Sequence, residues 1–312
     1  MKFRLLLFIL LPYLCLAHPG IGIVKDSRGN IFYTDLEQVW KIAPDCSKTI
    51  AVPNVYTHEL YMDGDNNLYG QHSLYSGEAT NQWSHYVWRL SAAGFLDTII
   101  KPTAGFFIED YSFARDSTGA MYWVQQGNVE KLVKTTADKR STVLATGNFK
   151  RVQWLLPLGK RLYFVKENSI YFLDSLQRLK LLAENLSGQP EARNSLFGLW
   201  SDHNENLYVA NVALHSVQQI TKAGTIRTVY RSHNDWYPTG GLFDREGTLW
   251  VLEYNSKNNA RVKTIANLIT KETNSINALP VPKLLVLLSL VVAMVWGTIV
   301  IRRKNRSHNQ LF

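Results

Sequence analysis

Two neighbouring pairs of residues in this sequence could perform chemistry. His58 is followed by Glu59, and Glu109 is followed by Asp110, and each pair stands at the predicted start of an inner strand. One imidazole and three carboxylates at one place can bind a metal ion or a cationic ligand, or transfer protons. The alternative is a solvated polar rim. No cofactor is otherwise predicted, and a divalent cation held by His58, Glu59 and Asp110 is the metal alternative.

Aromatic and imidazole side chains gather in two longer connections. The segment 71–85 holds His72 and Trp83, and the segment 232–237 holds Trp236. Exposed aromatic rings are typical of surfaces that bind protein, peptide or glycan. The alternative is that these rings pack between neighbouring structural units.

A repeat runs through the region that carries these residues. An aliphatic residue followed by an aromatic one recurs with a mean spacing of 43.6 residues, at positions 31, 68, 121, 162, 207 and 249. Five positions before each pair stand Asp26, Asp63, Asp116, Pro157, Asp202 and Asp244. Asp at the first position of a β-turn accepts hydrogen bonds from the turn backbone, and a Gly three residues later suits the turn exit. The pattern predicts a turn between two strands in each repeat.

Each repeat has room for four short strands. Strand-like segments follow the turn at 31–34, 207–210 and 249–252, and further ones come after them, as at 39–42 and 49–52. Four strands in about 43 residues are typical of one blade of a β-propeller. Six such blades account for the region 18–273. We therefore predict an all-β, six-bladed propeller, with a last outer strand at 268–270.

Two segments carry a family resemblance. The segment 202–220, DHNENLYVANVALHSVQQI, resembles the NHL-type repeat. The segment 232–253, which contains GTLWVLE, is similar both to that repeat and to blades of the gluconolactonase/SMP-30 superfamily. The resemblance implies a six-bladed propeller but no single activity, since this fold hosts many functions.

The same resemblance implies a divalent metal at the central mouth, held by Glu, Asn and Asp at the starts of inner strands. In this sequence the corresponding positions are Ile21, His58, Tyr111, Val152, Phe197 and Thr239. None of them offers the carboxylate or amide oxygens that Ca²⁺ or Mg²⁺ requires. A lactonase-type hydrolase is therefore disfavoured. We expect a ligand-binding or scaffolding module, the alternative being a metal-dependent hydrolase with a rearranged site.

The mouth should also receive the ends of the second strands. In a four-stranded blade the inner strand starts on the face at which the second strand ends. The residues expected there are Asp35, His72, Gln125, Lys166, Asn211 and Glu253.

Hydropathy indicates a membrane topology. Residues 1–17 have a basic start and a short apolar run, as in a cleavable secretory signal. Residues 284–301 are uncharged and long enough for a transmembrane helix, and the basic segment 302–312 follows at once. The positive-inside rule then places 302–312 in the cytoplasm. We expect a single-pass protein of the cell membrane, with its propeller outside and residues 274–283 as a linker.

Charge and cysteine content complete these expectations. Seven of the 34 basic residues flank the two apolar ends, which leaves 27 basic against 25 acidic residues in the predicted propeller. A nearly neutral domain does not favour nucleic acid as a partner. After signal cleavage Cys46 is alone, so no internal disulfide is expected. A buried, inert Cys46 is the favoured interpretation, and a bridge between two chains is the alternative.

Overall fold

The structure, a computed structural model, describes residues 19–105, 110–188 and 195–266. These residues form 22 strands in six antiparallel sheets. Within every sheet the strands neighbour one another in chain order, so each sheet is a meander built from one stretch of chain. The predicted six-bladed propeller of four-stranded blades is confirmed.

The strands are as follows. Blades 1 and 2 contain β1 (Ile23–Lys25), β2 (Ile31–Thr34), β3 (Val39–Ile42), β4 (Lys48–Val52), β5 (Leu60–Met62), β6 (Leu68–Tyr75), β7 (Trp83–Leu90) and β8 (Leu96–Ala104). Blades 3 and 4 contain β9 (Met121–Gln125), β10 (Glu130–Thr135), β11 (Ser141–Gly147), β12 (Val152–Leu158), β13 (Arg161–Lys166), β14 (Ser169–Leu173) and β15 (Leu179–Ala183). Blades 5 and 6 contain β16 (Leu196–Ser201), β17 (Leu207–Asn211), β18 (Ser216–Ile220), β19 (Ile226–Arg231), β20 (Trp236–Phe243), β21 (Leu249–Asn255) and β22 (Ala260–Ile265).

Blades 3 and 6 show three strands each within the described residues. The inner segment of blade 3 pairs with β9 through a bridge between Arg115 and Met121, and the Tyr122 amide donates to the Ala114 carbonyl at 2.9 Å. The predicted outer strand of blade 6, 268–270, lies outside the described residues.

The repeated aspartate organises the turn between the first and second strands. In blade 5 the Oδ1 atom of Asp202 accepts from the amides of Asn204 and Asn206, at 2.9 Å each. Asp26, Asp63 and Asp116 accept from the amides two and four residues further on in the same way. The predicted Asp turn is therefore confirmed as a local hydrogen-bonded structure.

The aliphatic member of five of the six repeated pairs is a core residue, and the sixth, Met121, is half-buried. Ile31, Leu68, Leu162, Leu207 and Leu249 are each no more than 4% exposed, since they lie between neighbouring blades. Burying one such side chain stabilises the fold by roughly 1.5–3 kcal/mol. The repeat thus encodes the contacts that join one blade to the next.

The ring closes where blade 6 meets blade 1 and the segment before it. The Thr239 hydroxyl donates to the Gly20 carbonyl at 2.7 Å, and the Tyr254 hydroxyl donates to the Thr34 carbonyl at 2.8 Å. Gly240 approaches so closely that a Cβ atom there would lie 2.3 Å from the Ile21 carbonyl oxygen. Closure therefore depends on a glycine and on buried hydroxyl groups.

The prediction of a buried Cys46 is wrong. Cys46 is exposed and has a φ of 66° in the turn between β3 and β4. Its amide donates to the Ala43 carbonyl at 2.9 Å, and the turn directs the residue away from the core.

The described residues contain no helix long and apolar enough to cross a membrane. The predicted signal (1–17), linker (274–283), transmembrane helix (284–301) and basic tail (302–312) all lie outside the described residues.

Candidate functional site

A central cavity of about 730 Å³ lies where inner strands begin and second strands end. Blades 2, 3 and 4 supply most of its lining. Its walls are formed by Pro19, His58, Glu59, Gln71, Ser73, Asp110, Tyr111, Ser112, Phe113, Trp123, Val124, Gln125, Gln126, Val152, Gln153, Trp154, Leu155 and Phe197. The cavity thus lies at the end of the propeller where the sequence predicts the mouth.

Three of the predicted site residues line this cavity together. His58 and Glu59 come from the start of the inner strand of blade 2, and Asp110 comes from blade 3. His58 and Glu59 are half-buried, whereas Asp110 is exposed and has a φ of 63°. Glu109 lies outside the described residues.

His72 does not face the cavity, although its place at the end of a second strand predicts a position at the mouth. Its Nδ1 accepts a hydrogen bond from the Tyr56 amide at 2.9 Å, and its ring stacks on Tyr86 with centroids 4.9 Å apart. Burial lowers the pKa of this imidazole. His72 therefore supports the packing between strands of blade 2.

The two candidate tryptophans also lie away from the cavity lining. The segment 71–85, which we expected to be an expanded loop, continues strands β6 and β7 as a hairpin that pairs out to Tyr75 and Trp83. These two rings lie 4.8 Å apart. Trp236 begins β20, and the guanidinium of Arg261 lies 3.8 Å from its ring centroid.

The other second-strand ends make structural contacts, apart from Gln125, which lines the cavity. Asn211 is fully buried and donates to the Leu186 carbonyl at 2.7 Å. Glu253, also fully buried, pairs with Arg261 at 2.7 Å and accepts from the Tyr230 hydroxyl at 2.8 Å. Their side chains turn toward neighbouring strands.

A second cavity of about 460 Å³ continues along the axis. Both cavities are lined by Glu59, Ser112, Phe113, Gln153, Trp154 and Leu155. Lys25 and Arg115 line only the second cavity. The Arg115 guanidinium lies 5.4 Å from the ring centroid of Tyr61 and 5.2 Å from that of Tyr111.

One ring of equivalent residues explains why blades 2, 3 and 4 supply most of the lining of the first cavity. The residue after each inner-strand start is Gly22, Glu59, Ser112, Gln153, Gly198 or Gly240, in chain order. On the glycine side the inner strands approach one another closely: a Cβ at Gly198 would lie 2.7 Å from the Thr239 carbonyl oxygen. Blades 2, 3 and 4 instead carry polar side chains and leave the cavity open.

Glu59 is the central titratable group of this ring. Its carboxyl group makes no hydrogen bond or ion pair with any other described residue. Burial alone raises its pKa to about 7, because the side chain is surrounded by protein and its remaining exposure is to the cavity. A carboxyl group with this pKa is near half-ionised at neutral pH.

The aromatic walls are held in place by contacts with a backbone carbonyl and with one another. The Trp154 indole donates to the Leu196 carbonyl at 2.9 Å, and its ring lies 6.0 Å from that of Phe197. Phe113 packs edge-to-face on Tyr111 at 5.4 Å. Sequence reasoning missed Phe113, Gln153 and Trp154; the positions one and two residues beyond each inner-strand start were the signal that could have identified them.

The residues do not fit the metal that the family resemblance implies. The described residues contain no group of three or more His, Cys, Asp and Glu side chains that could hold a metal ion. His58, Glu59 and Asp110 line one cavity without forming such a group. Thr239, at the corresponding position of blade 6, is fully buried and uses its hydroxyl for ring closure.

No protein-family model matches the sequence, and no curated protein does either. Solved structures match over most of the chain. A gluconolactonase from Xanthomonas campestris has 11% identity and a TM-score of 0.53, with 80% of this chain and 87% of that chain covered. A calcium-binding regucalcin from Agrobacterium tumefaciens has 14% identity and a TM-score of 0.50, covering 75% and 83%. An auxiliary nutrient binding protein from Bacteroides ovatus has 10% identity and a TM-score of 0.53, covering 78% and 69%. This chain therefore shares the six-bladed β-propeller fold of gluconolactonase and regucalcin structures.

Proposed function

We propose that this protein is a membrane-anchored, extracytoplasmic propeller that binds a small organic ligand in its central cavity. The cavity carries the proposal: its volume of about 730 Å³ is within the range of small-molecule sites, which combine apolar walls with a few polar groups. Rings of Phe113, Trp154 and Phe197 supply the apolar walls, and Glu59 and Gln153 supply polar groups.

Binding is favoured over lactone hydrolysis. The structures of similar fold include both an enzyme and a nutrient-binding protein, so the fold does not decide between the two. The six positions that would supply oxygen ligands for a metal hold no Asp, Glu or Asn, and three of the six residues that follow them are glycines. Exposed Leu74 and Tyr75 at the β6–β7 hairpin offer a separate contact for a protein, peptide or glycan partner.

The location rests on the sequence. The uncharged segment 284–301, followed by basic residues, supports a single span with the propeller outside, and residues 1–17 support export. We expect a chain that stops at Lys283 to leave the membrane fraction, whereas a chain lacking only 302–312 should remain in it. Release of the full chain by an alkaline wash would contradict the proposed anchor.

Ligand binding can be tested on the full chain in detergent. We expect members of a metabolite library to raise its melting temperature, since a ligand that binds only the folded state stabilises it. Gln126→Trp, an exposed rim residue, should abolish the shift by obstructing the mouth. Glu78→Trp, at an exposed position between β6 and β7 that does not line the cavity, should preserve it. Equal shifts in both variants would place binding elsewhere.

A further inference from the structure

We propose that the ligand of the central cavity is an organic cation, with its ammonium group against Glu59 and Gln153 and its apolar body against the aromatic wall. The inference rests on the proposed ligand-binding function and adds the chemical class of the ligand. Three independent features of the cavity support it: its charge, its unsatisfied acceptors and its aromatic surfaces.

The charge of the cavity favours a cation. Its described lining contains the carboxyl groups of Glu59 and Asp110, one imidazole, and no Lys or Arg. Lys25 and Arg115 line the second cavity instead. An anionic ligand would meet carboxylates in the first cavity without a cationic partner, which is unfavourable at short range in a partly enclosed site.

Two acceptors in the shared part of the two cavities lack partners among the described residues. The Glu59 carboxyl group has no hydrogen bond or ion pair there. The Gln153 Oε1 atom is enclosed and has no hydrogen-bond partner. Buried acceptors without partners destabilise a protein unless something donates to them. An ammonium group supplies a positive charge and up to three N–H donors, which are the complement of a carboxylate beside an amide oxygen.

The aromatic wall suits the remainder of such a ligand. The Trp154 N–H is already bonded to the Leu196 carbonyl, so the indole offers a π-surface and not a donor. Phe113 and Trp154 line both cavities, as Glu59 and Gln153 do. A cation near aromatic faces gains a cation–π contribution, and the apolar body of the ligand is removed from water.

Proton linkage follows from this arrangement. A bound cation favours the ionised form of Glu59, whose pKa burial raises to about 7. Affinity should therefore rise with pH until the carboxyl group is ionised, and binding below that pH should release a proton. The other titratable or charged side chains lining the two cavities are His58, Asp110, Tyr111, Lys25, Tyr61 and Arg115.

The test uses matched triads of probes with the full chain in detergent. A triad is three compounds with the same aromatic ring system, either phenyl or naphthyl. One compound carries an aminoethyl group, the second a hydroxyethyl group and the third a carboxymethyl group. At pH 8, ligand-observed NMR and calorimetry should show the amine binding at least about tenfold more tightly than the alcohol, with the carboxylate weakest; this ratio corresponds to about 1.4 kcal/mol.

Variants separate a cation site from general apolar binding. Glu59→Gln should lower amine affinity about tenfold or more and change alcohol affinity less than about twofold, since only the ion pair is removed. Gln153→Leu should weaken the amine to a smaller extent. Glu78→Gln, an exposed carboxyl group on the hairpin, is the matched control and should change neither.

The outcomes distinguish this inference from the proposed function. If alcohols or carboxylates bind as tightly as amines, or if Glu59→Gln leaves amine binding intact, the cation inference is wrong while a small-molecule site remains. If library compounds bind at the mouth but no amine does, the cation inference is again wrong and the small-molecule site again remains. If neither triads nor library compounds bind, both proposals are wrong.

Discussion

The hydroxyl group of Tyr208 donates a hydrogen bond to Oδ2 of Asp202, six residues earlier, at 2.9 Å. The same relationship joins Tyr69 to Asp63 and Tyr122 to Asp116, and the Trp250 indole makes it with Asp244. The two recurring features of the sequence are therefore one structural unit: the turn aspartate binds the backbone with one oxygen and the second-strand aromatic residue with the other.

Tyr208→Phe tests this unit. The change removes the donor to Asp202 and the acceptor for the Gln219 amide, which lies 2.7 Å away, in a site where Tyr208 is 1% exposed. We expect the free energy of unfolding to fall by about 1–3 kcal/mol, measured by urea denaturation, because buried polar groups lose partners. Tyr171→Phe is the control, since its half-buried hydroxyl makes no hydrogen bond to a described residue. If both changes lower the free energy of unfolding by the same amount, the hydrogen bond between Tyr208 and Asp202 does not stabilise the turn as proposed.

Gly240→Ala tests the closure of the ring. The new Cβ would lie 2.3 Å from the Ile21 carbonyl oxygen, so the inner strands of blades 1 and 6 must separate. We expect a loss of at least about 1–3 kcal/mol, as for overpacked core positions, and a lower melting temperature in calorimetry. Gly64→Ala is the control, because nothing lies within 4 Å of the position that its new methyl group would take. If Gly240→Ala leaves the free energy of unfolding unchanged, ring closure does not depend on the close approach at Gly240.

Arg261→Met tests a buried ion pair in blade 6. Glu253 is fully buried, and its Oε2 lies 2.7 Å from the Arg261 guanidinium. Removing the cation leaves a buried carboxylate, which should cost about 3–5 kcal/mol in denaturant unfolding at pH 7. Arg89→Met breaks the exposed pair with Asp97 and should change stability little. The prediction fails if both variants unfold alike.

Glu59→Gln tests the environment of the central carboxyl group through pH. The folded pKa of about 7 lies above the ordinary value of 4.5 for a glutamic acid, so the folded protein binds this proton more tightly. The wild-type free energy of unfolding should then fall as pH rises from about 4.5 to about 7 and level off above. The stability advantage of Glu59→Gln over wild type should grow across that range by up to about 3 kcal/mol. Thermal unfolding of both proteins at pH 4.5 and pH 8 checks this prediction. A stability advantage of Glu59→Gln that is smaller at pH 8 than at pH 4.5 would contradict it.

Local features of the fold could be predicted from the sequence because their causes are local. The Asp202 turn and the strand after it lie within a dozen residues, and their hydrogen bonds join neighbours in the chain. Ile31–Thr34 and Val39–Ile42 were predicted at the bounds observed. Cys46 was misjudged because its exposure depends on a positive-φ turn that composition does not reveal.

The candidate site was predicted only in part. His58, Glu59 and Asp110, which were expected at the mouth, line one cavity, since the direction of inner strands follows from blade topology. His72 was expected there too, and Trp236 was expected as an exposed binding ring, yet His72 bonds to Tyr56 and Trp236 packs on Arg261. Such contacts involve other strands, so residue type and position along the repeat do not settle them.

Residue type and spacing were enough to specify the number of blades, the turn that begins each second strand and the near-neutral charge of the propeller. The arrangement of the blades around the axis was not encoded in any local pattern: blades 1, 5 and 6 close around glycines, while blades 2, 3 and 4 leave a cavity. Glu59 and Gln153, 94 positions apart in the chain, border the same space. That proximity arises from ring closure, which brings distant inner strands to one axis.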